Sequence, residues 1–529
     1  MADAPRRVLV CGRLPADGRE ALESAGLAIE HLPNRQAGSL ADIIAPFAAV
    51  IVHSPHRVDA AALEAAPLLK VVGRAGVGVD NIDVEAATER GVLVMNLPWG
   101  NTVTAAEHTM ALLMALARNI PQASAALEQG VWDRAAYLGV ELKDKTLGII
   151  GLGRIGREVA RRARGMEMRV VGSDPFLSPS MAHDLGIELV SIAELLPQAD
   201  FLTLHVPKTA DTAYLIDADA IAAMKSGARL INCARGGLVD EAALLAGLES
   251  GQLAGAACDV FETEPTDNAA LVAHPNFVGT PHLGGATHEA RQRVGSGIAR
   301  QVADYLADGV IYHAINVQAL PPDEQRAMEP YLQLGEQLGA LLSQCFEHIE
   351  RLQIEYYGEI TEYTLRPLSA YILAGYLRPF LGEQVNVVNA AAIARQRGLS
   401  VDESKSTSEH RYKSLIRVTV VTETGNHSVA GTVLEGARGR LVEVESIPIE
   451  TALEGHLLLL ENEDRPGVVG QLGAFLAERG INIADMSLGR DEPRGTAIAI
   501  VATDQLLDAE GLRDLLDLSD IRWARVVSF

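Results

Sequence analysis

The first part of the chain alternates short, continuous apolar runs with longer stretches whose apolar residues recur at helical spacing. Short apolar runs bounded by polar residues are typical of buried parallel strands, and their alternation with helices predicts two doubly wound α/β lobes. The runs lie at Val8–Cys11, Ala49–His53, Val71–Gly73, Val92–Asn96, Phe201–His205, Ala228–Asn232, Ala254–Asp259 and Phe277–Thr280. A helical stretch at Thr102–Arg118 leads into the second lobe. Another at Ala286–Asp308 can return to the first lobe, which would make that lobe discontinuous and leave a cleft between the two.

The second half of the chain carries a different pattern. Pro321–Glu324 is predicted to be a linker, and the polar run Ser400–His410 is predicted to be a loop. Apolar strands are predicted at Leu415–Val421, Ser428–Val433 and Leu441–Val444. From His456 onwards the order is strand, helix, strand, strand, helix, strand, which predicts a ferredoxin-like module with Asp464 capping its first helix.

One strand–turn–helix segment carries a phosphate-binding fingerprint. The strand Thr146–Ile150 runs into the turn Gly151-Leu-Gly153-Arg-Ile-Gly156, and a helical pattern follows at once. In such a turn the first glycine permits the tight bend, the second lets backbone approach a pyrophosphate, and the third lets helix pack on strand. The next strand ends at Asp174, about 20 residues on, where this fold places an acid for the ribose hydroxyls. Asp174 would repel a 2′-phosphate, so the segment predicts NAD rather than NADP.

Three polar residues follow three of the predicted strands of the second lobe. They are Arg235, Glu264 and His282. Because ligands of open parallel sheets bind at the carboxyl ends of strands, these side chains can converge on a nicotinamide. A histidine suits removal of an alcohol proton near neutral pH, a carboxylate beside it would stabilise imidazolium, and an arginine can hold a substrate carboxylate. The set predicts hydride transfer from a secondary alcohol.

Composition narrows the choice of partner. The net charge of −24 argues against nucleic acid and anionic membranes, both of which need basic surface. The four cysteines show no CxxC spacing, so we expect reduced thiols and predict no metal. No apolar stretch is long enough to span a bilayer, and the N-terminal apolar run favours a strand over an export signal. A cytoplasmic protein is expected.

Several long motifs, in the same order, resemble those of the D-2-hydroxyacid dehydrogenases. They are Arg74–Asn81, Gly100–His108, Gly151–Gly156, Asn232–Gly237, Asp259–Pro265 and Thr280–Gly284. Within that family the chain is most similar to the long-form D-3-phosphoglycerate dehydrogenases, which carry an intervening regulatory domain and a terminal ACT domain. The segments Glu355–Ile360 and Gln384–Asn389 resemble the former, and Asn462–Gly467 and Gly480–Ala484 resemble the latter.

The resemblance implies an α/β fold of four domains. A Rossmann-type NAD domain (99–285) would be inserted in a flavodoxin-like substrate domain (1–98 and 286–318). An α+β intervening domain (319–452) and a ferredoxin-like ACT domain (453–529) would follow. The implied reaction is NAD-dependent oxidation of D-3-phosphoglycerate to 3-phosphohydroxypyruvate, the first step of L-serine biosynthesis. A homo-oligomer, a dimer or tetramer, is expected, with Thr102–Arg118 and the ACT module taking part.

The resemblance also assigns roles to residues. His282 would be the acid/base, Glu264 its partner and Arg235 the ligand of the substrate carboxylate or carbonyl. Asp259 would contact the nicotinamide carboxamide. Besides the three glycines, the NAD site would be lined by Arg154, Ile155, Asp174, Val206, Cys233 and Ala234. The backbone of Ala75–Gly78 (with Gly76, Val77 and Gly78) and the side chain of Asn101 would hold the substrate carboxylate and hydroxyl.

The phosphate-binding segment departs from the family pattern. The family usually has arginine and threonine where this chain has His53 and His56, whereas Arg57 and Arg74 remain. A phosphate pocket can still form from the two arginines and one protonated histidine, and its affinity would then fall as pH rises. The departure keeps a rival substrate open: an unphosphorylated acid such as hydroxypyruvate, glyoxylate or 2-oxoglutarate.

Two further alternatives stay open. The chain could be an NAD-sensing scaffold that retains the three strand-end residues without turnover. In the ACT module, Asn462, Asp464 and Asn482 match positions that hold an amino-acid effector, L-serine in this family. They could instead serve only the fold, with Asp464 as a helix cap and Asn482 at the start of a strand.

Overall fold

The computed structural model describes residues 6–32, 40–346, 349–382, 384–406, 411–423, 425–434 and 438–529. The backbone forms two compact units. The first comprises the chain up to Arg74, Gly78–Asn96 and Ile298–Phe529, and the second comprises Ala75–Val77 and Leu97–Gly297. The domain limits given above stay a prediction. Within the described ranges, no helix is both long enough and apolar enough to cross a membrane.

A five-stranded parallel sheet opens the first unit. Its strands are β1 (Arg7–Cys11), β2 (Ala28–Leu32), β3 (Ala49–Val52), β4 (Val71–Arg74) and β5 (Leu93–Met95), with helices α1 (Ala16–Ser24), α2 (Ala60–Glu64) and α3 (Val84–Glu89). The order β2-β1-β3-β4-β5 is that of flavodoxin-like folds, as predicted. Parallel pairing sets Val52 beside Arg74, so the ends of β3 and β4 meet at one edge of the sheet.

The second unit holds a seven-stranded parallel sheet. Helices α4 (Thr102–Ala117) and α5 (Ile120–Glu128) precede it, and α5 was not predicted. The strands are β6 (Thr146–Ile150), β7 (Arg169–Ser173), β8 (Glu188–Leu189), β9 (Phe201–Leu204), β10 (Ala228–Asn232), β11 (Leu253–Cys258) and β12 (Phe277–Gly279). The helices of this unit are α6 (Arg154–Gly165), α7 (Pro179–Asp184), α8 (Ile192–Leu195), α9 (Ala218–Ala223), α10 (Glu241–Glu249) and α11 (Ala269–Val272). Helix α12 (His288–Asp308) begins in the second unit and continues from Ile298 in the first. The order β12-β11-β10-β9-β6-β7-β8 reverses direction at β6, which confirms the Rossmann prediction and places the switch point there.

A mixed six-stranded sheet follows in the first unit, covered by two long helices. The elements are α13 (Pro322–Cys345), β13 (Arg351–Gly358), α14 (Arg366–Leu381), α15 (Ala390–Gln396), β14 (Ser400–Ser406), β15 (Ser414–Thr422), β16 (Gly425–Leu434), β17 (Arg438–Val444) and β18 (Ile447–Thr451). The strand order is β14-β13-β15-β16-β17-β18. Glycines let α13 and α14 cross closely, since a Cβ at Gly339 would lie 2.1 Å from the carbonyl oxygen of Ile372.

Two predictions for this region are wrong. Ser400–Ser406 is not a loop, because it pairs in parallel with β13 as an edge strand (residues 407–410 lie outside the described ranges). Apart from the partly buried Val401, the side chains of this edge strand are polar and mostly exposed, so the hydrophobic pattern gives little signal for it. Pro321–Glu324 is not a linker: α13 begins at Pro322, with Asp323 and Glu324 in its first turn. Proline and acidic residues both suit the start of a helix.

The chain ends in the predicted ferredoxin-like module. Its elements are β19 (His456–Glu463), α16 (Val468–Glu478), β20 (Ile483–Arg490), β21 (Thr496–Thr503), α17 (Ala509–Leu516) and β22 (Ile521–Ser528). The antiparallel order is β20-β21-β19-β22. One face of this sheet packs Leu458 and Leu460 against the two helices. The other face, with Leu457 and Leu459, joins the core built by α13, α14 and the six-stranded sheet.

Candidate active site

The glycine turn after β6 has the geometry of a dinucleotide site. Gly151 takes a φ of 93°, which favours glycine, and a Cβ there would lie 2.5 Å from the carbonyl oxygen of His205. A Cβ at Gly156 would lie 2.0 Å from the carbonyl oxygen of Gly151, so helix α6 packs directly on the turn. A Cβ at Gly153 would meet no atom within 4 Å. Gly153 is also the N-cap of α6 and makes no side-chain cap, so the turn leaves room and backbone donors for a pyrophosphate.

The predicted ribose acid lies beside that turn. The Asp174 carboxylate accepts hydrogen bonds from the backbone N–H of Leu152 at 2.7 Å and of Phe176 at 2.8 Å. Val206 packs its side chain against Gly151 from the end of the neighbouring strand. These residues fit NAD, and Arg154 and Ile155 begin the helix whose N-terminus faces the turn.

A histidine–glutamate pair forms at the carboxyl edge of the same sheet. The Nδ1 of His282 lies 2.7 Å from Oε2 of Glu264, whose other oxygen accepts from the Phe261 N–H at 3.2 Å. Because a carboxylate only accepts, Nδ1 is the donor, and Nε2 is left as the acceptor nitrogen of the neutral ring. His282 takes a φ of 54°, a left-handed conformation that is uncommon for residues other than glycine.

The pair shifts both pKa values toward the charged forms. The hydrogen bond that His282 donates to Glu264 raises the pKa of His282 above its ordinary value, against burial and the nearby positive charge of Arg235. Burial favours a higher pKa for Glu264, but the hydrogen bond and charge of His282 outweigh it and bring the pKa below its usual range. The histidine therefore gives up its proton at a higher pH than an isolated imidazole does.

Arg235 lies in a loop that Asn232 shapes from the end of β10. The Asn232 side chain donates to the carbonyl of Arg235 at 2.9 Å and accepts from the N–H of Ala234 at 3.0 Å. The guanidinium donates to the Ala234 carbonyl at 2.7 Å. The loop packs tightly on the segment that carries Glu264, because a Cβ at Gly236 would lie 1.7 Å from the carbonyl oxygen of Phe261. Cys233 is buried in the same loop, and burial raises its pKa to about 12.

Asp259 is deeply buried and is hydrogen-bonded on both oxygens. Its Oδ1 accepts from Thr280 Oγ1 at 2.6 Å and from the Leu283 N–H at 2.7 Å, and Oδ2 accepts from the Gly284 N–H at 2.7 Å. The side chain is 1% exposed. Burial favours a higher pKa, but these hydrogen bonds and one from His108 outweigh it and lower the pKa. The groups that donate to the Asp259 carboxylate all belong to the chain itself. The predicted contact between Asp259 and the nicotinamide carboxamide therefore stays a prediction.

Asn101 has a carbonyl oxygen suited to a substrate hydroxyl. It stands at the N-cap of α4 without making a cap hydrogen bond, and its Oδ1 is buried and accepts from none of the described groups. In the same unit the Gly76 carbonyl accepts from the N–H of Leu97 at 3.0 Å. The roles of Asn101 and of the Ala75–Gly78 backbone stay predictions.

The candidate phosphate residues gather at one edge of the five-stranded sheet. Arg74, at the end of β4, donates through Nη2 to Ser54 Oγ at 2.9 Å. Asn81 fixes the loop after β3 by donating to the carbonyls of His53 and His56. Arg57 is exposed, whereas His56 is buried, and its burial lowers its pKa.

In the ACT module the three candidate effector residues already have partners. Asp464 is not the predicted helix cap: the N-cap of α16 is Gly467, and Asp464 accepts instead from Arg490 at 2.9 Å and the Arg494 N–H at 3.0 Å. Because Asp464 precedes the N-cap position, its carboxylate can reach the β20–β21 turn, and it binds the two arginines there instead of the helix N-terminus. Asn462 donates to the Glu463 carbonyl and Asn482 to Asp504, each at 2.7 Å.

Two residues near the site were missed. Phe176 directly follows the Asp174–Pro175 step and is 96% exposed, although an aromatic side chain is rarely left in water. An aromatic residue after the ribose acid is a signal that could have been read. His108, on α4, hydrogen-bonds Asp259 and Thr280, and only its presence in a motif pointed to it.

Comparison with known proteins agrees along the chain. The NAD-binding domain of D-isomer specific 2-hydroxyacid dehydrogenases matches residues 110–284, the D-3-phosphoglycerate dehydrogenase intervening domain matches 327–445, and the ACT domain matches 456–520. The D-3-phosphoglycerate dehydrogenase of Bacillus subtilis is 40% identical over 516 residues, which are 97% of this chain and 98% of that protein. The chain belongs to the D-3-phosphoglycerate dehydrogenase family. The family member of Methanocaldococcus jannaschii is 38% identical over 99% of both chains.

Solved structures resemble somewhat more than half of this family member. A protein of Thermus thermophilus is 36% identical with a TM-score of 0.54, and the match covers 58% of this chain and 99% of that one. D-lactate dehydrogenase of Aquifex aeolicus, solved with NAD and lactic acid, is 27% identical with a TM-score of 0.51 over 56% of this chain and 95% of that one.

Proposed function

We propose that this chain catalyses the NAD-dependent oxidation of D-3-phosphoglycerate to 3-phosphohydroxypyruvate, the first step of L-serine biosynthesis. The observation that carries the proposal is the His282–Glu264 pair, which lies at the carboxyl edge of the sheet that also holds the NAD turn. Ligands of such sheets bind at that edge. Family membership, including the intervening domain, supports the phosphorylated substrate.

In the proposed reaction His282 Nε2 accepts the proton of the C2 hydroxyl while the C2–H bond breaks and the carbonyl forms. Glu264 holds the ring through Nδ1 and stabilises the imidazolium that results. Arg235 binds the substrate carboxylate and polarises the developing carbonyl oxygen. When bound, NAD supplies the acceptor for the C2 hydride.

The substrate phosphate is assigned to Arg57 and Arg74. Of the two histidines in this segment, His56 is buried, and because burial lowers its pKa it is neutral near pH 7. His56 therefore does not supply the protonated imidazole that the phosphate pocket was predicted to use. The guanidinium groups stay charged at every working pH, so they supply the permanent part of the attraction.

The proposal is tested by NADH formation with D-3-phosphoglycerate against a panel of unphosphorylated 2-hydroxy acids. The highest kcat/KM is expected for the phosphorylated acid. A preference for an unphosphorylated acid would favour the rival substrate class, and no turnover on any acid would favour the NAD-sensing scaffold.

Arg57→Ala is expected to raise KM for D-3-phosphoglycerate by about 10- to 100-fold, because a charge-assisted hydrogen bond contributes about 1.5–3 kcal/mol. KM for an unphosphorylated acid should not change. Steady-state kinetics with both substrates measure the difference. Arg90→Ala is the matched control, since Arg90 is an exposed arginine of the same unit that pairs with Glu64 at 3.8 Å. An equal rise for both substrates would remove Arg57 from the phosphate site.

L-Serine as an effector is proposed on the ACT match and on Asp464. The ammonium of an amino acid would have to displace Arg490 from that carboxylate. An exposed ion pair of this kind contributes little to stability because water screens it, so displacement is feasible. Titration calorimetry with L-serine is expected to show heat in the wild type and a weaker affinity in Asp464→Ala. Absence of both heat and inhibition would end the effector proposal.

Self-association and a cytoplasmic location remain part of the proposal. The second unit exposes an apolar surface on α4, α5 and the segment after them, with exposed fractions of 54% at Ile120, 78% at Trp132 and 80% at Leu138. An exposed set of large apolar side chains is typical of a surface that binds another protein. A second copy of the chain is the partner that this surface would bind.

A further inference from the structure

The catalytic histidine lies in a turn that one buried carboxylate organises. The backbone N–H of His282 donates to the Asp259 carbonyl at 2.9 Å. The N–H groups of the next two residues, Leu283 and Gly284, donate to the Asp259 carboxylate at 2.7 Å each. Gly284 is also a close fit, since a Cβ there would lie 3.0 Å from Oδ2. Three successive N–H groups therefore point at one aspartate, and they hold His282 at its left-handed φ of 54°.

That carboxylate is in turn held by a residue outside the turn. His108 lies in the middle of α4, with Nε2 at 3.2 Å from Asp259 Oδ1 and 3.0 Å from Thr280 Oγ1. Thr280 Oγ1 donates to the same Oδ1 at 2.6 Å. Because the carboxylate can only accept, His108 carries its proton on Nε2 and donates it toward this cluster. The His108 imidazole thus links helix α4 to Thr280, at the start of the catalytic turn, and to Asp259, which accepts from the N–H groups at the end of that turn.

We infer that His108 is a positioning residue for the reaction, acting through Asp259 and Thr280 to hold the turn in which His282 meets Glu264. The inference rests on the proposed function of His282 as the acid/base. His108 itself touches no reacting atom in this role. The charged groups that affect the pKa of His282 are Glu264, Asp259 and Arg235. His108 hydrogen-bonds directly to Asp259.

Loss of the His108 donor should loosen the turn and the 2.7 Å contact between His282 and Glu264. Since that contact raises the pKa of His282, loosening it lowers the pKa toward the ordinary value. Oxidation of an alcohol needs neutral His282. The acidic limb of kcat/KM therefore moves to lower pH, even as the maximal rate falls through poorer alignment.

His108→Phe keeps an aromatic ring but removes the donor, and it is expected to lower kcat by about 10- to 100-fold. NADH affinity should fall by a smaller factor than kcat, since the glycine turn is untouched and only the predicted contact of Asp259 with the carboxamide is affected. His108→Gln places an amide N–H near the position of Nε2 and should restore kcat to within about threefold of wild type. Thr104→Val is the matched control: it removes a different contact from the same helix, Thr104 Oγ1 to Thr287 Oγ1 at 3.3 Å, and should change neither kcat nor the limb.

The pKa of His282 can also be read without turnover, from the pH dependence of its acylation by diethyl pyrocarbonate. Neutral imidazole is the reactive form, and mass spectrometry of the peptide isolates His282 from the other histidines. The midpoint should fall in His108→Phe and return in His108→Gln. Inactivity of the wild type on every acid would defeat the proposed function, yet this titration would still test the role of His108.

Thr280→Val gives a second route if His108→Phe does not fold. It should lower kcat and move the limb in the same direction, and the double variant should lose less than the two single effects combined, because both groups act on one carboxylate. A His108→Phe enzyme with wild-type kcat and midpoint would overturn the inference. So would equal impairment of His108→Phe and His108→Gln, because the donor would then not be what matters.

Discussion

His282→Asn is expected to lower kcat for oxidation of D-3-phosphoglycerate by about 1,000-fold, because a positioned general base contributes about 10²- to 10⁴-fold. Asparagine is the informative replacement. It is one of the residues that tolerate a left-handed backbone, so the φ of 54° at this position can persist. Its amide can still donate to Glu264, but it cannot accept the hydroxyl proton. The variant therefore separates loss of proton transfer from loss of the turn.

Single-turnover formation of NADH measures the effect on the chemical step. NADH binding, followed by its fluorescence, should remain within about twofold of wild type because the cofactor turn is untouched. His183→Asn is the matched control: that histidine is 91% exposed on α7 of the same unit and has no proposed role. If His282→Asn kept more than a tenth of the wild-type rate, the acid/base assignment would be wrong.

Gly156→Ala is expected to lower kcat/KM for NAD by about 100-fold, the loss that a misplacement of about 1 Å can cause. The added Cβ would lie 2.0 Å from the Gly151 carbonyl oxygen, a backbone atom of the cofactor turn. Relief requires α6 to move away from the turn, which takes its N-terminal N–H groups with it. The site then loses the donors that a pyrophosphate needs.

Steady-state kinetics with varied NAD, together with the rise in Tm that saturating NAD produces, measure this loss. Gly165→Ala is the matched control, because it makes the same substitution at the last residue of the same helix, where a Cβ meets no atom within 4 Å. It should be neutral or slightly stabilising, since alanine favours helix by up to about 1 kcal/mol over glycine. Equal NAD kinetics in both variants would contradict the role given to Gly156.

The sequence was sufficient to predict the two parallel sheets and the position of the candidate catalytic side chains after their strands, because both rest on local patterns. The turn at Gly151 and the acid at Asp174 belong to one continuous βαβ segment. Arg235 and His282 follow strands whose apolar runs are plain. The fold then brings the ends of those strands to one edge, a rule that holds for every open parallel sheet.

The contacts that organise the catalytic turn have no local signal in the sequence. His108 and Asp259 are 151 positions apart, and nothing in either segment marks them as neighbours. The left-handed backbone of His282 is not visible in the sequence either, since even the residue types enriched in that conformation adopt it in only a minority of cases. At Asp464 the composition suited a helix cap, but an arginine from the facing strand competes for the carboxylate. Whether a carboxylate caps a helix therefore depends on the competing partners within its reach and not only on its residue type.

The face of the ACT sheet that points away from its own helices is also buried, because it forms part of a core shared with the six-stranded sheet. Leu457 and Leu459 of β19 complete the core of the six-stranded sheet and its two long helices. A change of side-chain volume in either sheet is therefore felt by the other, because close-packed interiors transmit strain. We expect the two modules to be inherited and to diverge together, with compensating substitutions paired across this shared layer. An ACT sheet taken from a distant relative would therefore place side chains of the wrong shape on the buried face that packs against the six-stranded sheet.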